Sequence, residues 1–271
     1  MQWRLIDSGL AAAAANMAVD EAILLAHQAG KVPPTLRFYG WRPAAVSLGY
    51  AQRAAGEIDL AACRARGIGV VRRLTGGRAV LHDAELTYSV VVGEGQAGVP
   101  ATITAAYHYF SQGLLAGLAR LGVEARINIP RAAYGQRQPR SHASAACFDA
   151  PAHYEITAAG RKLVGSAQVR KGGAILQHGS LLLRFDPAAL AAVLRSSVPA
   201  DLAAMLAARA VGLEELLGRP LEWPELTAAM ATGFGEVLGE LVPGRLTADE
   251  EHIAGELAAA KYRRDDWNLR R

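Results

Sequence analysis

The chain has 271 residues, enough for one large domain with a substantial buried core. With 51% hydrophobic and 20% charged residues it has a globular composition, and no apolar run approaches the roughly 18 residues of a membrane span. A net charge of +4, from 29 basic and 25 acidic residues, suits an acidic protein partner, while the scatter of Lys and Arg sets nucleic acid aside.

The opening residues MQWRLIDSGL lack a cationic stretch followed by an apolar one, so no signal peptide is expected and the expected location is cytoplasmic. Residues 3–6 read as a short strand. Residues 11–29 read as a helix, with Val19, Ile23 and Ala26 on one face. Strands are expected at 35–41, 44–50 and 69–73. A glycine turn at Gly76-Gly77 then leads into strands at 79–82 and 87–92. Thr102 is placed to cap a second helix, along which Ile103, Tyr107, Phe110, Leu114, Leu118 and Leu121 form a stripe. Residues 131–143 are polar and aperiodic and read as a loop. Further strands are expected at 152–157, 162–168, 174–178 and 180–184. From Pro187 onward the pattern is helical, and Thr247 to Glu250 spell a capping box. Irregular alternation of helices and strands predicts an α+β fold with mixed or antiparallel sheets flanked by helices. The expected division is a catalytic domain over 1–245 and a helical extension over 246–271 packed on it.

Three segments hold residues with chemical potential. In RRLTGGRAVLHD (72–83), paired glycines let backbone amides approach a ligand, behind the charge of Arg72 and Arg73; His82 and Asp83 are candidates for a buried pair. An ordinary hairpin turn with solvated arginines fits the same pattern. Its spacing matches neither G-x-x-x-x-G-K-[ST] nor G-x-G-x-x-G. In ACFDAPAHYE (146–155), Cys147 sits at a loop-to-strand junction, where a thiol is reachable, although a free cysteine is more commonly a small buried hydrophobe. Cys63, in the helical pattern Leu60, Cys63, Ile68, is read as such a hydrophobe. Two cysteines make neither a disulfide framework nor a Cys-x-x-Cys zinc site. In GRKLVGSAQVRKGGAILQHGSLLL (160–183), strand alternation puts Lys162 on a face with Val164 and Ser166. That predicts a partly desolvated ammonium, or alternatively an edge-strand lysine reaching water. His178 fits a substrate contact or a buried, hydrogen-bonded histidine.

Together these segments resemble the lipoate-protein ligase and octanoyltransferase superfamily, most closely the LipM-type octanoyltransferases, whose nucleophilic cysteine lies in an A/V-C-F-D-A-P setting. WRLIDSG, NMAVDEA, RFYGW, SLGY, LQHGSLLL and KYRRDDWN extend the resemblance over nearly the whole chain. It implies a fold like the catalytic domains of biotin- and lipoate-protein ligases, and octanoyl transfer from octanoyl-acyl carrier protein to the lipoyl domain of the glycine cleavage H protein. Carried over by position, Cys147 accepts the acyl group, Lys162 lowers that thiol's pKa, and Arg72, Gly76, Gly77 and His82 form the substrate pocket. The resemblance implies no cofactor: neither ATP nor a metal is required. A monomer is expected, with neither nucleic acid nor a membrane as partner. ATP-dependent lipoate ligases carry three successive glycines where this chain has Gly76-Gly77-Arg78, and need no cysteine. An amidotransferase that moves octanoyl between lipoyl domains has a C-P-G setting, against Cys147-Phe148-Asp149 here. These two enzymes, and a non-enzymatic lipoyl- or biotin-binding module, are the competing readings.

Overall fold

The computed structural model describes residues 2–128, 155–195 and 201–270. Cys147, the polar loop 131–143 and the first part of the strand expected at 152–157 lie outside the described residues. In chain order the elements are β1 (Trp3–Ala11), α1 (Ala13–Gln28), β2 (Thr35–Trp41), β3 (Ala45–Leu48), α2 (Ala54–Glu57), α3 (Leu60–Ala65), β4 (Gly69–Arg72), β5 (Val80–His82), β6 (Glu85–Gly93) and α4 (Ile103–Arg120). There follow β7 (Ala125–Asn128), β8 (Glu155–Ala158), β9 (Arg161–Lys171), β10 (Ala174–Leu182), α5 (Pro187–Val193), α6 (Leu202–Ala207), α7 (Leu213–Leu217), α8 (Trp223–Leu238), β11 (Leu241–Pro243), α9 (Ala248–Leu257) and α10 (Asp265–Asn268). A π-helical turn, Ala258–Tyr262, continues α9.

The expected α+β architecture is present. One mixed sheet runs β11-β1-β2-β6-β10-β9-β8-β7, and a smaller one runs β4-β3-β5. Period-two alternation divides the large sheet into two chemically different faces. Leu36 and Phe38 of β2, Leu86, Tyr88 and Val90 of β6, and Ile175 and Leu181 of β10 join the main core with α4 and α8. There Gly233 of α8 lies so close to α4 that an added Cβ would meet the Gly117 nitrogen at 2.2 Å. The alternate residues Arg37, Tyr39, Glu85, Thr87, Ser89, His178 and Ser180 are also buried, but on the opposite face, under α1. That face carries the chemistry.

Four expectations are corrected. Gly76 and Gly77 do not close a hairpin, because β4 and β5 both pair with β3 and not with each other, so the segment crosses over β3. Lys162 is not on an edge, since β9 lies between β10 and β8. The two strands expected at 174–178 and 180–184 are a single strand, β10, running through Gly179; a Cβ there would meet Ser166 Oγ at 2.5 Å and Tyr88 Cε1 at 2.6 Å. The region beyond Pro187 is not wholly helical, as β11 pairs in parallel with the start of β1. Strand β1 itself extends to Ala11, past a register shift between Asp7 and Leu10 that interrupts the alternation.

The capping predictions hold: Thr102 accepts from the Ala105 N–H, and Thr247 and Glu250 form a capping box. Glu250 also receives a bidentate pair from Arg4, at 2.7 and 2.6 Å. Helix α9 packs along α1. The π turn delivers Lys261 and the Tyr262 hydroxyl to Glu21, and burial with the Glu21 charge drives that phenol far above its ordinary pKa. Cys63 is buried in the α3 cluster, as expected. Among the described residues no helix is long and apolar enough to cross a membrane.

Candidate active site

The polar face of the large sheet, α1 and the small sheet enclose a cavity of about 240 Å³. An apolar cavity of about 150 Å³ accommodates benzene, so this one suits a ligand of somewhat more than six heavy atoms. Its apolar wall includes Met17, Tyr39, Trp41, Val80 and Ala167, and its polar wall Ser47, Arg73, Thr87, Ser166, His178 and Ser180. Gly77 and His82 also line it.

Two hydrogen-bonded chains run behind the polar wall. In the first, Asp20 Oδ2 lies 3.1 Å from His178 Nδ1, and His178 Nε2 lies 2.7 Å from Thr75 Oγ1. Asp20 is further held by Arg37 Nη1 at 2.8 Å, the Tyr39 hydroxyl at 2.9 Å and Ser89 Oγ at 2.9 Å. Burial pushes the Asp20 carboxyl up, but the His178, Arg37 and Tyr39 contacts outweigh it and leave the group below its ordinary pKa. Burial lowers the pKa of His178, with Asp20 opposing and Arg73 and His82 assisting. A neutral His178 therefore carries its proton on Nδ1, toward the carboxylate, and accepts the Thr75 hydroxyl at Nε2.

In the second chain, Glu85 Oε1 lies 2.7 Å from His82 Nδ1, and His82 Nε2 lies 2.7 Å from Ser47 Oγ. The Thr87 and Ser180 hydroxyls also donate to Glu85. Trp41 stacks on the His82 ring at 4.0 Å and 12° while its Nε1 donates to Thr87. The buried acid beside His82 is thus Glu85 rather than the expected Asp83, which is exposed. The chain bends at Asp83 and Ala84, and Glu85 returns buried at the start of β6.

The candidates fall into different places. Gly77 and His82 line the cavity; Arg72, Gly76 and Lys162 do not. Arg72 is fully buried and donates to the carbonyls of Gly49, Tyr50, Gln52 and Trp267, so among the described residues it braces the loop after β3. The arginine on the cavity is its neighbour Arg73. Gly76 stands behind the wall, where its carbonyl accepts from Arg73. Lys162 is only 5% exposed and donates from Nζ to Glu155, itself 6% exposed. It lies on β9 three residues before Gly165, which lines the cavity. The sequence pattern places Arg73 beside the glycine turn but does not single out Asp20, Ser47 or Glu155. The available signal for Asp20 was a polar pair, Asn16 and Asp20, one turn apart in an otherwise alanine-rich helix. Among the described residues, no group of three His, Cys, Asp or Glu is placed to hold a metal ion.

The Asp20–His178 pair gives a pH dependence with a definite sign. The folded His178 resists the proton that the unfolded chain accepts near pH 6.5, so stability is full above that pH and falls as pH drops below it. Asp20, lowered from 3.8, adds a loss in the same direction at lower pH. Chemical denaturation between pH 7 and 5 should show stability declining by up to about 1.4 kcal/mol per pH unit from this imidazole, with a shallower slope in His178→Gln. Equal slopes would contradict the buried neutral ring.

The lipoyl protein ligase A/B catalytic domain model matches residues 12–235. The chain is 51% identical to Octanoyltransferase LipM of Kyrpidia tusciae, covering 99% of both chains. It is 43% identical to the protein of the same name from Bacillus subtilis, covering 99% and 98%. Among solved structures it resembles a lipoate-protein ligase A bound with ATP at a TM-score of 0.81 and 28% identity, with 99% of each chain covered. It also resembles the bipartite lipoate protein ligase of Thermoplasma acidophilum, at 0.81 and 26% identity, covering 99% and 96%. With its alternating sheet, its glycine crossover and the full length of its relatives accounted for, the chain belongs to the lipoyl protein ligase A/B catalytic-domain family.

Proposed function

We propose that this chain is a protein N-octanoyltransferase of lipoylation. It moves octanoyl from octanoyl-acyl carrier protein to the lipoyl-domain lysine of the glycine cleavage H protein, through a thioester on Cys147. The observation that carries the reading is the near-complete coverage of octanoyltransferases at 42–51% identity. The cavity supports it. Burying the seven carbons beyond the octanoyl carbonyl is worth up to about 5 kcal/mol, at about 0.8 per methylene.

In this scheme the Cys147 thiolate attacks the donor thioester carbonyl and the carrier thiol leaves, taking up a proton. An ordinary thiol has a pKa near 8.5 and is only slightly ionised at neutrality. The Lys162 ammonium favours the anion. The acceptor's lysine amine then attacks the acyl-cysteine, the C–S bond breaks, and the amine's proton passes to the site. Exchange of one thioester for another is nearly balanced, and amide formation drives the second step. The scheme calls for no ATP, metal or other cofactor, and for a cytoplasmic monomer.

The deciding experiment compares donors on purified protein. Octanoyl-carrier protein without ATP should add the mass of one octanoyl group to the enzyme and label the H protein. Cys147→Ala should acquire nothing. Labelling that requires free octanoate with ATP, or that persists at one site in Cys147→Ala, would sink the reading.

A further inference from the structure

Arg73 ties the two hydrogen-bonded chains together. Its Nε lies 3.1 Å from Thr75 Oγ1, where the Asp20–His178 chain ends, and its Nη1 lies 3.0 Å from Ser47 Oγ, where the Glu85–His82 chain ends. Each hydroxyl that gives its own proton to an imidazole offers a lone pair to the guanidinium. Nη1 also donates to the Ser47 carbonyl at 2.9 Å. Nη2 donates to the carbonyls of Gly76 and Arg78, both at 2.8 Å. Every N–H position of the guanidinium therefore has an acceptor within the protein, and two of these acceptors flank Gly77.

The turn is held from its other side too. Gly77 has φ +98°, and a Cβ added to Gly49 would meet the Gly77 carbonyl oxygen at 2.0 Å. In a trans peptide the N–H points opposite to the carbonyl. With the Gly76 carbonyl drawn to Arg73, the Gly77 N–H is turned away from the guanidinium. With the Gly77 carbonyl directed at Gly49, the next N–H is turned away from Gly49. Three successive carbonyls thus have fixed directions, and so do the amides between them, in a segment that lines the cavity.

We infer that Arg73 is a positioning residue: clamped by the Asp20–His178–Thr75 and Glu85–His82–Ser47 chains, it locks the Gly76–Arg78 turn in the conformation that receives the acyl carbonyl. The inference rests on the transferase reading above. Preorganised donors act in the reacting state without moving, so loosening the turn slows the chemical step more than it weakens ground-state binding.

The test follows acyl-enzyme formation from octanoyl-carrier protein by rapid-quench intact mass. Arg73→Lys should slow acylation by about 10²–10³-fold with little change in KM, the range for loss of an oxyanion donor. Thr75→Val and Ser47→Ala should each slow it by about tenfold, and Thr75→Ser should restore the rate. In the Arg73→Lys background, Thr75→Val and Ser47→Ala should have no further effect. Full, multiplicative losses in that background, or losses confined to KM, would overturn the inference. If Arg73→Lys does not fold, the Thr75→Val/Ser47→Ala double variant decides: multiplicative losses overturn the shared clamp, and smaller ones uphold it. A second readout needs no reaction. Imidazole nitrogen NMR should place the His178 proton on Nδ1 in the wild type, and the resonances of His178 and His82 should both shift when Thr75→Val and Ser47→Ala remove their respective hydroxyls and when Arg73→Lys removes the link. Shifts unaltered in Arg73→Lys would refute the clamp even where octanoyl-carrier protein turned out not to be the donor.

Discussion

Lys162→Ala should lower kcat/KM for octanoyl transfer by about 10²–10⁴-fold, the usual contribution of a positioned acid–base group. Its pH–rate profile should rise only toward the ordinary thiol value of about 8.5. The substitution also has a structural cost, because it strands Glu155, 6% exposed, without the ammonium that donates to it. Removing one partner of a buried pair typically destabilises by about 3–5 kcal/mol. A second variant separates the two effects. Lys162→Ala with Glu155→Gln removes the stranded charge, so most of the stability should return while the rate stays low. Recovery of the rate together with the stability would show that the lysine acts only as a structural counter-ion. Neighbouring elements give Lys162 little freedom: its N–H donates to Arg209 and its carbonyl accepts from Val211, at 2.8 and 2.9 Å.

Glu85→Ala should cost about 3–5 kcal/mol of folding stability and abolish most activity. Glu85 is 3% exposed and accepts from His82, Thr87 and Ser180. Deleting its carboxylate strands three buried donors, each worth about 1–3 kcal/mol when unmade, and leaves a cavity. The total stays below the sum because water entering the gap satisfies part of the set. The Thr87 hydroxyl would also lose the acceptor that orients it toward Trp41 Nε1, and with it the stacking platform for His82. Urea denaturation measures the first effect and acylation rate the second. A variant within 1 kcal/mol of wild type would mean that the carboxylate is dispensable to this face.

Local signals in the sequence were legible and contextual ones were not. Thr102 and the Thr247–Glu250 box announce helix starts through atoms within four residues of each other, so the signal needs no distant partner. The alternation in β2 and β6 gave the strands, because one face of each meets the apolar core. The meaning of the other face depended on partners far away in sequence. Nothing within an alanine-rich helix marks Asn16 and Asp20 as buried; Arg37, on a different element, makes them a buried cluster. Arg72 and Arg73 are neighbours on a strand end, so pattern alone put both at the turn without deciding which one faces inward. For His82 the adjacent acid was chosen, whereas the bend at 83–84 delivers Glu85. The proposed roles of Cys147 and Lys162 came from the family resemblance, since a single thiol and a single lysine carry no pattern of their own.

The fastening of Arg72 has a consequence for biogenesis. Its N–H donates to Asn268 Oδ1, its carbonyl accepts from Trp267 Nε1, and the Arg270 guanidinium lies over the rings of both Tyr50 and Trp267. These contacts join residues nearly two hundred positions apart, and β11 joins β1 across a greater span still. Contacts this remote form late and slowly. A ribosome that has translated the whole of the glycine crossover still carries an open, unlatched cavity wall. A nonsense codon between residues 181 and 266 should therefore yield a polypeptide that carries every cavity-lining residue described above but lacks the C-terminal latch on Arg72.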